Sequence, residues 1–163
     1  MVNIRINNVN FKNPIYFEKE GVLLTLNEFI NDNDDLCINC STYEEALALC
    51  MAFQKRGLRW RSGESYIAST NFYDYTNEMV YSNRSSYADL SFARNRGWTI
   101  YRLNEIAEYK SEISENINLI KRIEHTLETY EEFNIPIENI VEDYAKRGID
   151  IDMDLVITIK EKR

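Results

Sequence analysis

One stretch of the chain, residues 104–133, most constrains the fold, because it lacks glycine and proline and repeats apolar residues every seven positions. The repeat places Ile106, Ile113, Ile120 and Leu127 seven residues apart, and three residues after each stand Tyr109, Asn116, Ile123 and Tyr130. This a/d pattern is typical of a helix that packs along another helix. It predicts a long amphipathic helix of about 27 residues, spanning about 40 Å.

Two partners for this helix are open at the level of sequence. Asn134, Pro136 and Gly148 delimit a second, shorter helix, which would form a helical hairpin with the first. In the alternative, a homodimer forms through Ile106, Tyr109, Ile113, Ile120, Ile123 and Leu127. The chain ends in the alternating segment "DLVITIKEKR", which predicts a short strand. Residues 105–163 are therefore predicted to form a helical hairpin or dimerisation element that ends in a strand.

The preceding residues, 1–104, predict a small mixed module of strands and one well-defined helix. Ser41 and Glu44 form a capping box at the start of "STYEEALALCMAFQKRG", and Gly57 supplies the left-handed stop. Strands are predicted at "NIRINNVNF", "LCINC", "LRW", "YIAST", "EMVYS" and "WTIYRL". The fold class is accordingly α+β, with a few-stranded sheet, a long C-terminal amphipathic helix resembling a coiled-coil helix, and a second shorter helix.

Motifs for catalysis are missing from the sequence. It contains neither G-x-x-x-x-G-K-[ST] nor G-x-G-x-x-G, and its single histidine, His125, rules out a site built on paired histidines. Cys37, Cys40 and Cys50 are an odd number and are interpreted as reduced, buried thiols. We therefore expect a protein that is not an enzyme and has no cofactor and no metal. No signal peptide or membrane-spanning run is recognised, which predicts a cytoplasmic protein.

Charge is distributed unevenly along the chain, whose net charge is −8. Residues 103–163 contain 15 Asp and Glu but only 8 Lys and Arg. The candidate partner-binding carboxylates are Glu105, Glu108, Glu112, Glu115, Glu128, Glu131 and Glu132. Carboxylates spaced along a rigid helix can imitate a row of phosphates and occupy a basic groove on another protein. The alternative is a solvated face that only keeps the protein soluble. The first interpretation would fail if the chain's own arginines neutralised these glutamates and a deep polar cleft lay elsewhere.

The middle of the chain, residues 55–102, is basic and rich in aromatic residues, and it predicts a second kind of site. Its candidate ligand-binding residues are Arg59, Arg61, Tyr66, Arg84, Arg94 and Arg96. Arginines among aromatic rings can pair with phosphates and stack on bases. Trp60 is interpreted as a core residue, whereas its neighbours Arg59 and Arg61 stay at the surface. The alternative function is thus a module that binds and sequesters a signalling nucleotide.

A family resemblance bears on the choice between these functions. About 70 residues, from "CINCSTYEEALALCMAFQKRGLRWRSGESY" to "RGWTIYRLNEI", resemble a module of short proteins from bacteriophages and prophages of low-GC Gram-positive bacteria. The resemblance rests on Cys40, Thr42 to Ala46, Gly57, Trp60, Ser62, Gly63, Glu64, Gly97 and Ile100. Small acidic phage proteins without catalytic motifs are often inhibitors of host defence, including anti-CRISPR proteins. The resemblance thus implies an inhibitor in the host cytoplasm that binds a nucleic-acid-binding effector protein, and not nucleic acid itself.

Overall fold

The structure is a computed structural model that describes residues 2–5, 16–19, 23–72 and 78–162. The strands in these ranges are β1 (Val2–Arg5), β2 (Tyr16–Lys19), β3 (Leu36–Cys40), β4 (Met79–Ser82), β5 (Tyr87–Asp89) and β6 (Thr99–Arg102). The helices are α1 (Leu26–Asn31), α2 (Tyr43–Lys55), α3 (Leu90–Asn95), α4 (Glu112–Glu132), α5 (Glu138–Lys146) and α6 (Met153–Lys162). The predicted α+β class is confirmed. None of the helices in the described ranges combines the length and apolar character needed to cross a membrane.

Four strands form a mixed sheet in the order β5-β4-β3-β6. The central strand β3 is antiparallel to β4 and parallel to β6. β1 and β2 pair separately as an antiparallel hairpin, and the rest of the predicted N-terminal strand lies outside the described residues. The predicted strands "LCINC", "EMVYS" and "WTIYRL" therefore correspond to β3, β4 and β6.

Alternation along the strands gives the sheet two apolar faces. Leu36 and Ile38 face the main core, which includes nearly all of the buried residues of α2. Cys37, Val80 and Ile100 face the other way and pack against Ala93 of α3. β3 is buried on both sides, which explains its continuous apolar sequence.

Helix α2 begins one residue later than the sequence predicts. Thr42 is the N-cap, and its hydroxyl accepts the Glu45 N–H at 3.2 Å. The Glu45 carboxylate accepts the Ser41 N–H at 3.1 Å, so the predicted pair of Ser41 and Glu44 is wrong by one position. Neighbouring Ser and Thr residues are both good caps, so the sequence alone does not distinguish them. The predicted stop is confirmed, since Gly57 has a φ of +79°.

The predicted strand "LRW", which contains Trp60, and the predicted strand "YIAST" after it are not strands. The Gly63 N–H bonds the Trp60 carbonyl at 2.8 Å, and the Trp60 N–H bonds the Glu64 carbonyl at 3.1 Å, which makes a tight turn. "YIAST" is likewise turn and irregular structure. The predicted burial of Trp60 is confirmed at 5% exposure, and its indole N–H donates to the Ser69 carbonyl at 2.6 Å.

Helix α4 starts at Glu112, eight residues later than the start of the predicted helix. The intervening residues form two 3₁₀ turns, Leu103–Glu105 and Ala107–Lys110. Ile106 between them is fully buried and forms a parallel bridge with Leu24. This long-range contact competes with helical propensity and breaks the first heptad.

The heptad residues on α4 belong to the core of a single chain. Ile113, Ile120, Ile123 and Leu127 are fully buried where α4 packs against α2 and α6. Asn116, the polar residue of the seam, donates to the Ala48 carbonyl on α2 at 3.1 Å. The predicted self-association set is therefore corrected: Ile106, Ile113, Ile120, Ile123 and Leu127 are not available to a second copy, and Tyr109 packs partly buried against the same core.

The last element is a helix, so the predicted terminal strand is wrong. Leu155, Val156 and Ile159 of α6 are buried at helical spacing, against a core that also contains α4 and α5 residues. Burial on one helical face outweighs the β-branched composition of "VITI". Because this core is continuous from Leu24 to Ile159, it extends across the predicted boundary between residues 104 and 105.

Candidate functional site

Three of the predicted acidic residues have internal structural roles. The Glu105 carboxylate accepts the Arg102 N–H at 2.7 Å. Glu108 accepts the N–H of Leu26, the first residue of α1, at 3.0 and 3.2 Å. A carboxylate at this position satisfies an otherwise unpaired donor and complements the positive end of the α1 dipole.

Glu112 is held by an arginine of the same chain. Its two oxygens accept hydrogen bonds from the Arg56 guanidinium at 3.0 and 2.9 Å. Arg56 also donates to the Ala52 carbonyl at 2.8 Å, and the bond to Glu112 is the largest cause that raises the pKa of Arg56. The predicted row of exposed charges along the N-terminal part of the acidic segment is therefore not present.

The other four predicted glutamates, Glu115, Glu128, Glu131 and Glu132, are exposed on α4. Lys121 and Arg122 are also exposed and interrupt this series between Glu115 and Glu128. Glu128, Glu131 and Glu132 lie in the last two turns of α4, and the final turn has no basic residue. The exposed acidic charge on α4 is therefore concentrated at its C-terminal end.

An exposed aromatic ring lies beside these carboxylates. The side chain of Phe133, the C-cap of α4, is 67% exposed, more than any other large apolar residue in the described ranges. Asn134 follows with a φ of +53°, and the Ile135 N–H closes the turn on the Tyr130 carbonyl at 2.8 Å. We call Glu128, Glu131, Glu132 and Phe133 the acidic tip.

Helix α5 contacts the last two turns of α4, which carry the acidic tip. The Tyr130 hydroxyl donates to the Asp143 carboxylate, and this bond raises the pKa of Tyr130 to about 12. The hydroxyls of Thr126 and Tyr144 lie 3.3 Å apart. Glu131 pairs with Lys160 of α6 at 3.8 Å. The turn that presents Phe133 is thus fixed by contacts on both neighbouring helices.

The predicted ligand-binding residues do not form one site. Tyr66 is 1% exposed and packs on Trp60, with ring centroids 4.2 Å apart. Arg94 and Arg96 lie at the end of α3, on the sheet face opposite to Trp60. The set is therefore divided between two faces of the sheet.

Arg59, Arg61 and Arg84 do lie near one another, but each bonds the chain itself. Arg59 donates to the Gly63 carbonyl at 3.1 Å, and Arg61 donates to the Arg84 carbonyl at 3.0 Å. Arg84 bonds the Asn33 carbonyl and lies 3.7 Å from the Asp35 carboxylate. These contacts fix the turns on either side of a small cavity bordered by Trp60 and Tyr87.

The three cysteines are free and buried. Because Cys37 and Cys40 are three residues apart on a strand, their side chains point to opposite faces of the sheet and cannot hold one metal ion together. Among the residues that the structure describes, no group of His, Cys, Asp and Glu could hold a metal ion. Burial raises the pKa of all three thiols, that of Cys37 to about 12.

A polar cleft that the sequence analysis missed lies at the carboxyl ends of the parallel strands β3 and β6. Its volume is about 310 Å³. It is lined by Asn39, Ser41, Glu45, Glu78, Arg102, Leu103, Asn104 and Tyr109. Ligands of open α/β sheets bind outside the carboxyl ends of strands. Polar residues at the ends of "LCINC" and "WTIYRL" are the signal that could have indicated it.

Comparison of the chain with protein-family models, with curated proteins and with solved structures finds no match.

Proposed function

We propose that this protein is a non-enzymatic binding protein whose acidic tip docks on a basic surface of another protein. The observation that carries the proposal is the exposure of Phe133 on a turn that neighbouring helices fix, beside Glu132 and beside Glu131, which stays exposed although it pairs with Lys160. This is a narrower hypothesis than a phosphate row along the whole helix, because Glu105, Glu108 and Glu112 are used within the chain.

The position of the carboxylates supports an intermolecular role. The C-terminal end of a helix is the negative end of its dipole, where Glu and Asp destabilise the helix and Lys and Arg stabilise it. α4 ends in three glutamates within five residues and has no base in its last turn. Sites that give up stability in this way are often functional.

Phe133 supports the same conclusion through the hydrophobic effect. Burying an aromatic side chain that water now covers is worth roughly 2 kcal/mol, and aromatic residues are enriched where interfaces carry most of their binding energy. The carboxylates around the ring would contribute attraction to Lys and Arg on the partner and would speed association. The tip thus combines an apolar anchor with a charged rim.

The resemblance to phage proteins suggests the class of the partner. A basic groove that binds nucleic acid, as in a CRISPR effector or a related nuclease of the host, is complementary to the acidic tip. Occupation of such a groove would exclude the nucleic acid and inhibit the effector without any bond being made or broken. This protein would therefore be a phage-encoded inhibitor that acts inside the host cell.

Binding to purified effectors with and without their guide RNA tests the proposal. We expect Phe133→Ala to weaken binding at least tenfold, which corresponds to about 1.4 kcal/mol, and rising salt to weaken it further. Phe92→Ala is the matched control, because Phe92 is 43% exposed on α3 at a distance from the acidic segment in sequence and should have no effect. Binding that ignores both salt and Phe133→Ala would refute the docking surface, and no binding to any effector would refute the class of partner.

A further inference from the structure

The polar cleft brings an acid, an amide and a base together at one end of three neighbouring strands. Asn39 is paired with Arg102 on β6, and Glu78 directly precedes β4 on the other side of β3. Cys37, Val80 and Ile100 face α3, so alternation places Asn39, Glu78 and Arg102 on that same side, one step beyond the apolar patch. Asn39 pairs with Val80 on β4, so Glu78 lies two residues further along, and the backbones of the two charged residues are roughly 12 Å apart.

Hydrogen bonds orient the central amide. Both Glu78 oxygens accept bonds, one from the Asn39 Nδ2 at 2.7 Å and one from the Ser41 hydroxyl at 3.1 Å. The amide nitrogen is therefore the atom that faces Glu78, and Oδ1 is the atom that remains as an acceptor. Asn39 Oδ1 is buried and has no hydrogen-bond partner among the residues that the structure describes. A buried acceptor without a donor is costly, and such atoms in native proteins call for a specific explanation.

The remaining lining residues divide the cleft into a charged part and a less polar part. Glu45 lies on the acidic side, where its carboxylate accepts the Ser41 N–H at 3.1 Å. Asn104, two residues after Arg102, adds amide donors and an acceptor on the basic side. Leu103 and Tyr109 supply apolar surface. The volume of about 310 Å³ is at the lower end of the range for small-molecule sites, roughly 300 to 1,000 Å³.

The geometry points to a binding site for a small zwitterion, of which a free amino acid is the simplest. Its ammonium group would donate to Glu78 and to Asn39 Oδ1, and its carboxylate would accept from Arg102 and Asn104. Its side chain would contact Leu103 and Tyr109. Each of these contacts pairs a group of the cleft with a ligand group of the opposite charge or hydrogen-bonding type.

Ligands with one kind of charge fit the cleft less well. Glu45 and Glu78 would repel a phosphate or another simple anion, while Arg102 would repel a metal cation. A zwitterion complements charges of both signs and can donate a hydrogen bond to the unpaired amide oxygen of Asn39. This site is independent of the acidic tip, because it is built from the strand ends and does not include α4, α5 or Phe133.

Saturation-transfer NMR and calorimetry with the standard L-amino acids test this inference on the whole protein. We expect at least one amino acid to bind at millimolar concentration or tighter. Its N-acetylated form and its carboxamide form should each bind at least tenfold more weakly, because each lacks one of the two charges. These two derivatives test the assignment without any change to the protein.

Variants assign the binding to the cleft. Glu78→Gln and Arg102→Gln should each weaken binding at least tenfold, whereas Arg94→Gln, an exposed arginine on α3, should leave it unchanged. Circular dichroism of each variant confirms that it is folded. The inference is overturned if no amino acid binds, if the blocked forms bind as well as the free one, or if Arg102→Gln has no more effect than Arg94→Gln.

Discussion

The contact between Arg56 and Glu112 predicts that Glu112 stabilises the fold and does not bind a partner. The change Glu112→Gln keeps the shape of the side chain but removes its charge and one of two accepting oxygens. Arg56 would then remain partly buried with only its bond to the Ala52 carbonyl and one bond to the amide. Glu112→Gln should therefore destabilise the fold itself.

The magnitude follows from the burial and geometry of the pair. The side chains of Arg56 and Glu112 are only 23% and 18% exposed, so water screens them less than it screens a surface pair. A hydrogen bond to a charged group contributes about 1.5 to 3 kcal/mol. We expect a loss of about 2 kcal/mol, which lowers the melting temperature of a chain of this size by about 4 to 8 °C.

Urea and thermal unfolding measure this difference directly. Glu115→Gln is the matched control, because Glu115 is exposed one turn further along α4 and its change alters the net charge of the protein by the same amount. We expect the control to change the free energy of unfolding by less than about 0.5 kcal/mol. If the two variants were equally stable, Glu112 would not be a structural residue. Its exclusion from the proposed partner-binding surface would then be wrong.

Two further predictions concern the acidic tip and the buried thiols. Glu132→Lys places a base at the negative end of the α4 dipole, so it should raise the free energy of unfolding by about 0.3 to 1 kcal/mol and weaken partner binding. Thermal melts measure the first effect, and binding to an effector measures the second. A destabilised variant would contradict the dipole argument. The second prediction concerns alkaline pH, because the unfolded chain loses thiol protons above a pH of about 9 while the folded chain retains them, the pKa of Cys37 being about 12. The contribution of the protonated thiols to the free energy of unfolding should be complete below a pH of about 9. Above it, the free energy of unfolding should fall by up to about 1.4 kcal/mol per pH unit for each of Cys37, Cys40 and Cys50 until the pH reaches the pKa of that thiol in the folded chain. Urea unfolding at several pH values measures this slope, and stability that does not change between about pH 9 and 10.5 would show that the thiols titrate normally in the folded state.

The acidic tip and the polar cleft lie on different parts of the fold and can be tested separately. The tip is carried by α4 and its following turn, whereas the cleft is formed where β3, β4 and β6 meet at one edge of the sheet. A protein that uses both would bind a partner at one surface and a small zwitterion at the other. Ligand binding measured with Phe133→Ala, and partner binding measured with Arg102→Gln, would show whether the two sites act independently.

Elements with strong local signals could be predicted from the amino-acid sequence. The capped, glycine-stopped helix α2 and the strands β3, β4 and β6 follow from period and composition within a few residues. The burial of Trp60 is also confirmed, but the strand alternation from which it was predicted is absent, because "LRW" is not a strand. Predictions failed where two local signals were nearly equal, as for the cap at Ser41 or Thr42 and for the alternating apolar residues of α6.

Which surfaces are available to a partner depends on contacts between segments that are distant in sequence. Heptad spacing shows that α4 has an apolar seam, but the same spacing serves a dimer or a core, and here the seam packs on α2 and α6. Glu108 bonds Leu26, 82 residues away, and Glu112 bonds Arg56, 56 residues away, so no local pattern reveals that they are used. The polar cleft is likewise lined by residues that are far apart in sequence, from Asn39 to Tyr109. The physical reason is that periodicity is a property of neighbouring residues, whereas the pairing of a charge depends on which distant segments the fold brings within hydrogen-bond distance.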